Sequence, residues 1–278
     1  MASSADEVVL SLSESNSVTV HLHGATVTSW RHKGTERLFV SKQAVFNNKK
    51  AIRGGIPVVF PNFGPWDLGP QHGFARTSRW TVESKDDKPS NGAIKAVLIL
   101  EDNEATRKMW NHKFKVTYTL TLKETEFVMD FAVENKGDQA FSFTALLHTY
   151  LRVEDVTKTT VSNLKGLNYV DKVKGGDMFT EDRELVSLAE NYDRVYQNTP
   201  DEHVVMDGES GRTVIVKKTN FPDTVVWNPW ADKAKGMSDF GDDEYPNMIC
   251  VEAGHVSSAV TLTPGDTFHG NQVLNIVQ

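Results

Sequence analysis

Apolar and polar residues alternate along most of this chain, the period-2 pattern of strands with one buried face. The alternation runs through VTVHLH from Val18, KFKVTYTLTLK from Lys113, EFVMDFAVE from Glu126, RTVIVKK from Arg212 and SAVTLTP from Ser258. The two arms between Lys113 and Glu134 meet at Lys123-Glu124-Thr125, short enough for a tight hairpin. Helical signals are few. EDNEATRKMW from Glu101 predicts one or two helical turns, with acids at its start and bases at its end. SKDDKPSNG from Ser84 and DGESG from Asp207 read as strand connections. No repeat and no Pro/Gly/Ser linker divides the chain. The pattern therefore predicts an all-β fold, one domain over residues 1–278, with its many strands packed as a sandwich.

Composition narrows the function. A net charge of −7 lacks the surplus of Lys and Arg with which a nucleic-acid binder displaces counterions from phosphate. No apolar run approaches the ~20 residues that span a bilayer, so no membrane association is expected. A single cysteine, Cys250, excludes an internal disulfide framework and fits a reducing compartment. The first residues, MASSADEVVLSLSES, carry acids and no bases, unlike a signal or transit peptide, and no Asn-X-Ser/Thr sequon occurs. The expectation is a cytoplasmic protein, and a monomer, since nothing in the sequence demands an obligate interface.

Two stretches break the alternation. The first, AIRGGIPVVFPNFGPWDLGPQHGFAR from Ala51 to Arg76, carries five glycines and four prolines around Arg53, Gln71, His72 and Arg76. An irregular loop of this length and composition points to a built site. Arg53 and Arg76 each read as surface charge when taken singly. Together, on a loop whose glycines allow close backbone approach, they suggest an anion site, because guanidinium is shaped for bidentate phosphate contact. Lys50 and Arg79 lie nearby in sequence. The second stretch, from Val225 to His255, is an acidic, turn-rich loop feeding a short apolar run that ends at Glu252.

His148 interrupts the apolar segment FSFTALLHTYLRVEDV. Its unperturbed pKa of about 6.5 suits proton transfer near neutrality, although a core histidine with backbone partners gives the same pattern. Glu252, at the end of a strand apolar on both faces, is either an exposed strand-end residue or a proton acceptor raised in pKa by desolvation. Asp193, in the polar segment ENYDRVYQNT, is either a surface acid on a loop or a partner for sugar hydroxyls. Trp227 and Trp230 suit sugar stacking or core. His21 and His23 share a strand face but lack a third ligand at suitable spacing, so no metal site is expected. Asp239-Phe240-Gly241 matches a kinase triplet without any other kinase motif.

Taken together, RGGIPVVFPNFGP, LGPQHGFAR, ALLHTYLRV, the Asp193-Arg194-Val195-Tyr196 step, VVWNPW and CVEAGH resemble the hexose-6-phosphate mutarotases. These form the glucose-6-phosphate 1-epimerase branch of the aldose 1-epimerase family, and the resemblance runs from Val8 to Gln278 with the motifs in family order. It implies a galactose-mutarotase-like β-supersandwich that interconverts the α and β anomers of hexose 6-phosphates, chiefly glucose 6-phosphate, with no metal and no organic cofactor. It carries the catalytic acid onto His148 and the catalytic base onto Glu252. Substrate contacts fall on Arg53, Gln71, Arg76 and Asp193, with His72 a further candidate beside Gln71. Two alternatives stand against it. One is a non-catalytic carbohydrate-binding module presenting Trp227 and Trp230. The other is a mutarotase of unphosphorylated aldoses, in which the arginines would have no clear task. An acid and a base together favour the enzyme.

Overall fold

The alternating segments form strands. The computed structural model describes residues 6–277, in which strands dominate and three sheets are built from antiparallel ladders. Glu7–Ser13, Asn16–His21, Thr26–His32 and Thr35–Glu36 make a four-stranded N-terminal sheet. A nine-stranded sheet is centred on Thr267–Val277, flanked by Thr213–Thr219 and Glu126–Asn135. The expected hairpin lies in it: Leu122 opposes Phe127, leaving Glu124 and Thr125 to turn the chain. An eight-stranded sheet runs in the order Asp177–Thr180, Asn168–Asp171, Tyr192–Tyr196, Asp223–Asn228, Met248–Leu262, Phe141–Leu147 and Val58–Val59; Tyr150–Arg152 also pairs with Met248–Leu262. The predicted helical turn is Glu104–Met109, started by a capping box between Asn103 and Thr106. A second short helix, Trp230–Lys235, has no counterpart in the sequence pattern. Among the described residues no helix is long and apolar enough to cross a membrane.

Burial follows the period of two. Phe114, Val116, Tyr118, Leu120 and Leu122 turn inward while the residues between them reach solvent in part. Inward-facing residues of the three sheets merge into one cluster that includes Trp30, Trp80, Tyr118 and Phe131. Burying each such side chain contributes about 1.5–3 kcal/mol. The other parity of the eight-stranded sheet builds a smaller cluster from Val59, Leu146, Tyr150, Val195, Val225, Trp227, Met248 and Cys250, covered by Phe39 and Phe240. The middle of this sheet, around Asp223–Asn228, is therefore buried on both faces, by the sandwich on one side and by loops on the other.

Two sequence expectations are corrected. Met248–Leu262 is one strand of 15 residues, so Glu252 lies inside it and not at its end. Its pattern is broken because the register slips: Phe143 opposes Val260 and Ala145 opposes His255, two steps on one strand against five on the other. The Asp223 carboxylate stabilises this bulge by accepting the N–H groups of Val256 and Ser257 at 2.8 and 2.7 Å. Asp193 lies on the strand Tyr192–Tyr196 and not in a loop. There the buried faces carry Tyr192, Arg194 and Tyr196, polar-tipped side chains that conceal the alternation.

Candidate active site

Sheet register joins residues that sequence spacing leaves apart. Leu147 opposes Ala253 and Tyr150 opposes Cys250, so His148 falls opposite Glu252. Further across, Val225 opposes Glu252 and Val195, while Trp227 opposes Cys250 and Asp193. Side chains opposite one another share a face. Two neighbouring rows therefore cross the loop-covered face: Asp193, Trp227, Cys250, Tyr150, and beside them Val195, Val225, Glu252, His148.

His148 Nδ1 lies 3.3 Å from Glu252 Oε1. The two are close but not aligned for a hydrogen bond, and His148 Nδ1 and Glu252 Oε2 are both buried without a hydrogen-bond partner. The imidazole stacks on Tyr150 at 4.7 Å and meets the edges of Trp227 and His72 at 6.0 and 6.1 Å. Burial, then the neighbouring His72, Arg76 and Arg53, hold His148 well below the usual histidine range. Burial, then the charge of Asp193, push Glu252 well above the usual carboxylate range. With both shifts toward the neutral forms, the pair holds one proton between two groups.

The Gly/Pro loop folds back over this face through glycines that nothing larger could replace. Gly55 and Gly73 have φ of +67° and +72°, and a Cβ there would lie 2.0 Å from Val27 O and 2.2 Å from Phe60 O. The loop brings Arg53, Phe63, Gln71, His72 and Arg76 to a cavity of about 240 Å³ shared with His148, Glu252, Asp193, Trp227, Lys172 and Lys233. All seven site residues expected from the sequence line this one cavity.

The two arginines differ. Arg53 donates through Nε to Asp239 Oδ1 at 3.2 Å, forms an ion pair through Nη2 with Asp239 Oδ2 at 3.2 Å, and donates through Nη1 to Tyr150 Oη at 3.2 Å. Arg76 donates through Nη2 to Gln71 O at 2.9 Å, and its Nε is buried without a partner. Burial first of all lowers Arg76 to about 10. His72 has φ +67° and accepts the Gly64 N–H at Nδ1. Its Nε2 therefore carries the proton, and the Gln71 side-chain amide nitrogen lies 3.4 Å away. Burial and the cations Arg76, Lys172 and Arg53 keep this ring neutral, with a pKa of about 2.

Sequence reasoning missed Lys172, Lys233 and the Asp239 partner of Arg53. Lys172 Nζ lies 3.9 Å over the Phe63 ring, and Lys233 Nζ is 3.8 Å from Asp193 Oδ2. Lys233 and Asp239 fall in the second irregular stretch; Lys172 follows a strand edge and carries no local signal. Other candidates lie elsewhere. Arg79 pairs with Asp6, the Lys50 carbonyl meets His23 Nε2, and Trp230 packs on Tyr245. His21 Nδ1 is taken by the His23 N–H. A donor set the spacing did not reveal is a His148 ring nitrogen, Cys250 Sγ and a Glu252 oxygen, all within 4.8 Å of one another. These are ligand types that zinc takes, but burial holds the Cys250 thiol well above its usual range, in its protonated form.

Comparison with known proteins gives the family and the fold. The aldose 1-epimerase family pattern matches residues 6–275. A candidate glucose-6-phosphate 1-epimerase of Cenchrus ciliaris is 38% identical over 279 residues, spanning 98% of this chain and 85% of the relative. One from Escherichia coli K12 is 32% identical over 260 residues, spanning 92% and 86%. The crystal structure of a candidate mutarotase, YeaD, from Salmonella typhimurium matches with a TM-score of 0.87 at 28% identity, over 94% of this chain and 87% of that one. Galactose 1-epimerase from Lactobacillus acidophilus, at 16% identity, has a TM-score of 0.73 over 98% and 94% of the two chains and shares the fold alone. The galactose-mutarotase-like sandwich expected from the sequence is the observed one, and with the family pattern spanning nearly all of its described length, the chain belongs to the aldose 1-epimerase family.

Proposed function

We propose that this protein interconverts the α and β anomers of a hexose 6-phosphate, chiefly glucose 6-phosphate, by acid–base chemistry. The observation that carries the reading is the cross-strand pair of His148 and Glu252, 3.3 Å apart with an unpartnered nitrogen and oxygen, facing a cavity lined by cations. Mutarotation opens the hemiacetal ring and recloses it. Glu252 accepts the proton of the anomeric hydroxyl as the bond from C1 to the ring oxygen breaks, and His148 gives a proton to that oxygen. Rotation about C1–C2 presents the other face of the aldehyde, and both transfers then reverse. No proton is gained or lost overall. Each positioned acid or base typically contributes ~10²–10⁴-fold.

This assignment uses a carboxylate and an imidazolium, whereas burial favours the neutral forms of both. Their separation lets the single proton pass from one to the other. Arg76 and Arg53 add to the depression of His148, so a phosphate dianion that offsets their charge favours the imidazolium. Binding of the phosphate thereby helps to charge the acid. Arg76 offers its unpartnered Nε to the phosphate, while Arg53, aligned by Asp239, supports the positive field. Asp193, Gln71 and His72 are left to take sugar hydroxyls. The one cysteine is a buried free thiol, which supports a reducing, cytoplasmic setting.

NMR exchange between the anomers of glucose 6-phosphate tests the reading. Arg76→Ala should lower kcat/KM for glucose 6-phosphate about thirtyfold or more, the loss from truncating a buried charged partner, and leave exchange of free glucose nearly as it was. Equal losses on both sugars would remove the phosphate assignment.

A further inference from the structure

A polar contact crosses the sandwich directly behind His148. Gln272 lies on the strand Thr267–Val277, is 0% exposed, and points inward with Leu274 and Ile276. Its amide nitrogen donates to Thr149 Oγ1 at 2.8 Å, and its Oε1 has no hydrogen-bond partner. Thr149 is likewise 0% exposed. The Thr149 hydroxyl and N–H both donate to Leu147 O, at 3.3 and 2.9 Å. The N–H bond closes a γ-turn with His148 at its apex. On the far side, the Val251 N–H donates to Thr149 O at 3.2 Å. One residue thus ties the turn bearing His148 to the strand bearing Glu252, and Gln272 fastens that residue from the opposite sheet.

An amide with an orphaned carbonyl is a poor filler for this space. Methionine would occupy it without burying an unpaired oxygen, and such exceptions in a core call for a reason. The turn supplies one, because proton transfer depends on geometry and a displacement of about 1 Å at a catalytic group can cost about a hundredfold in rate.

We infer that Gln272 is a positioning residue: through Thr149 it sets the reach of His148 toward Glu252. The inference rests on the acid–base reading above, and the test separates the two. Wild-type protein is first assayed for α/β exchange of glucose 6-phosphate; an inactive wild type overturns both. With an active wild type, Gln272→Met should lower kcat about ten- to a hundredfold, leave KM within about twofold, and displace the limbs of the pH–rate profile. Its urea midpoint should equal or exceed that of the wild type, since the orphaned carbonyl is gone. Thr149→Ser, which keeps the hydroxyl, should retain the rate that Thr149→Val loses. Wild-type kcat and pH limbs in Gln272→Met would overturn the inference. So would a rate loss matched by a raised KM and a lowered urea midpoint, the signature of a loosened core. If Gln272→Met does not fold, equal rates for Thr149→Ser and Thr149→Val overturn it.

Discussion

Arg194 and Glu252 are both buried in the eight-stranded sheet, 7% and 1% exposed, yet their surroundings differ. Arg194 donates to Asp171 at 3.0 Å and to Tyr192 Oη at 3.0 Å, with its guanidinium packed 4.4 and 4.2 Å from the rings of Tyr169 and Tyr192. Tyr192 meets Tyr196, which donates to Glu181 at 2.7 Å, and Glu181 also receives Arg183 through two bonds of 2.8 Å. Each buried charge there has an opposite charge and hydrogen bonds. Glu252 Oε2 and His148 Nδ1 have no hydrogen-bond partner, and the cations Lys172 and Arg76 act on Glu252 across the cavity without forming an ion pair with it. The two groups lie back to back, since Arg194 follows Asp193 and Asp171 precedes Lys172 along strands whose alternate residues face opposite ways. Burial of an ionisable residue is therefore a weak mark of function in this protein. Burial without satisfaction is the discriminating feature.

The comparison can be broken at either end. Glu252→Gln should cost the most, about 10³-fold or more in kcat followed by anomer exchange, with the urea midpoint unchanged or higher because a poorly solvated ionisable group is gone. Full turnover in that variant would mean Glu252 is merely buried. Arg194→Met should do the reverse. Leaving Asp171 and Glu181 without their cation should destabilise the fold by about 3–5 kcal/mol in urea unfolding, with a far smaller loss of activity per folded molecule. A variant as stable as wild type would show that the satisfied network contributes little. The smallest effect is on pH dependence. The one-proton pair gives a bell: the rate falls at low pH when a second proton binds and at high pH when the last is lost. Because His148 is shifted down from 6.5, the acid limb should lie below that value; because Glu252 is shifted up from 4.5, the alkaline limb should lie above that one. A single acid limb near 4.5 would mean that Glu252 titrates as an ordinary carboxylate.

Much of the sandwich was legible because alternation survives wherever one face is wet, as in the hairpin from Phe114 to Asn135. The pattern failed where a strand is covered on both faces, as at Asp193, and where a bulge interrupts it, as after His255. The Gly/Pro loop announced itself, since Gly55 and Gly73 are required by close backbone approach. The roles of its arginines did not. That Arg53 is held by Asp239 while Arg76 keeps an unpartnered nitrogen depends on contacts between distant segments. Lys172 was invisible for the same reason. The pairing of His148 with Glu252 is a property of strand register, which no local window contains.

That register has a consequence for how the gene can vary in length. Adding or deleting one residue between Cys250 and Gly254 would rotate Glu252 from the cavity side to the sandwich side, since successive side chains alternate. The bulge from Val256 to Ala259, held at its near end by Asp223, separates this segment from the outer half of the same strand. It already absorbs surplus residues. Length changes beyond it can be taken up there, so the outer half of the strand is free to drift while the inner half keeps its place.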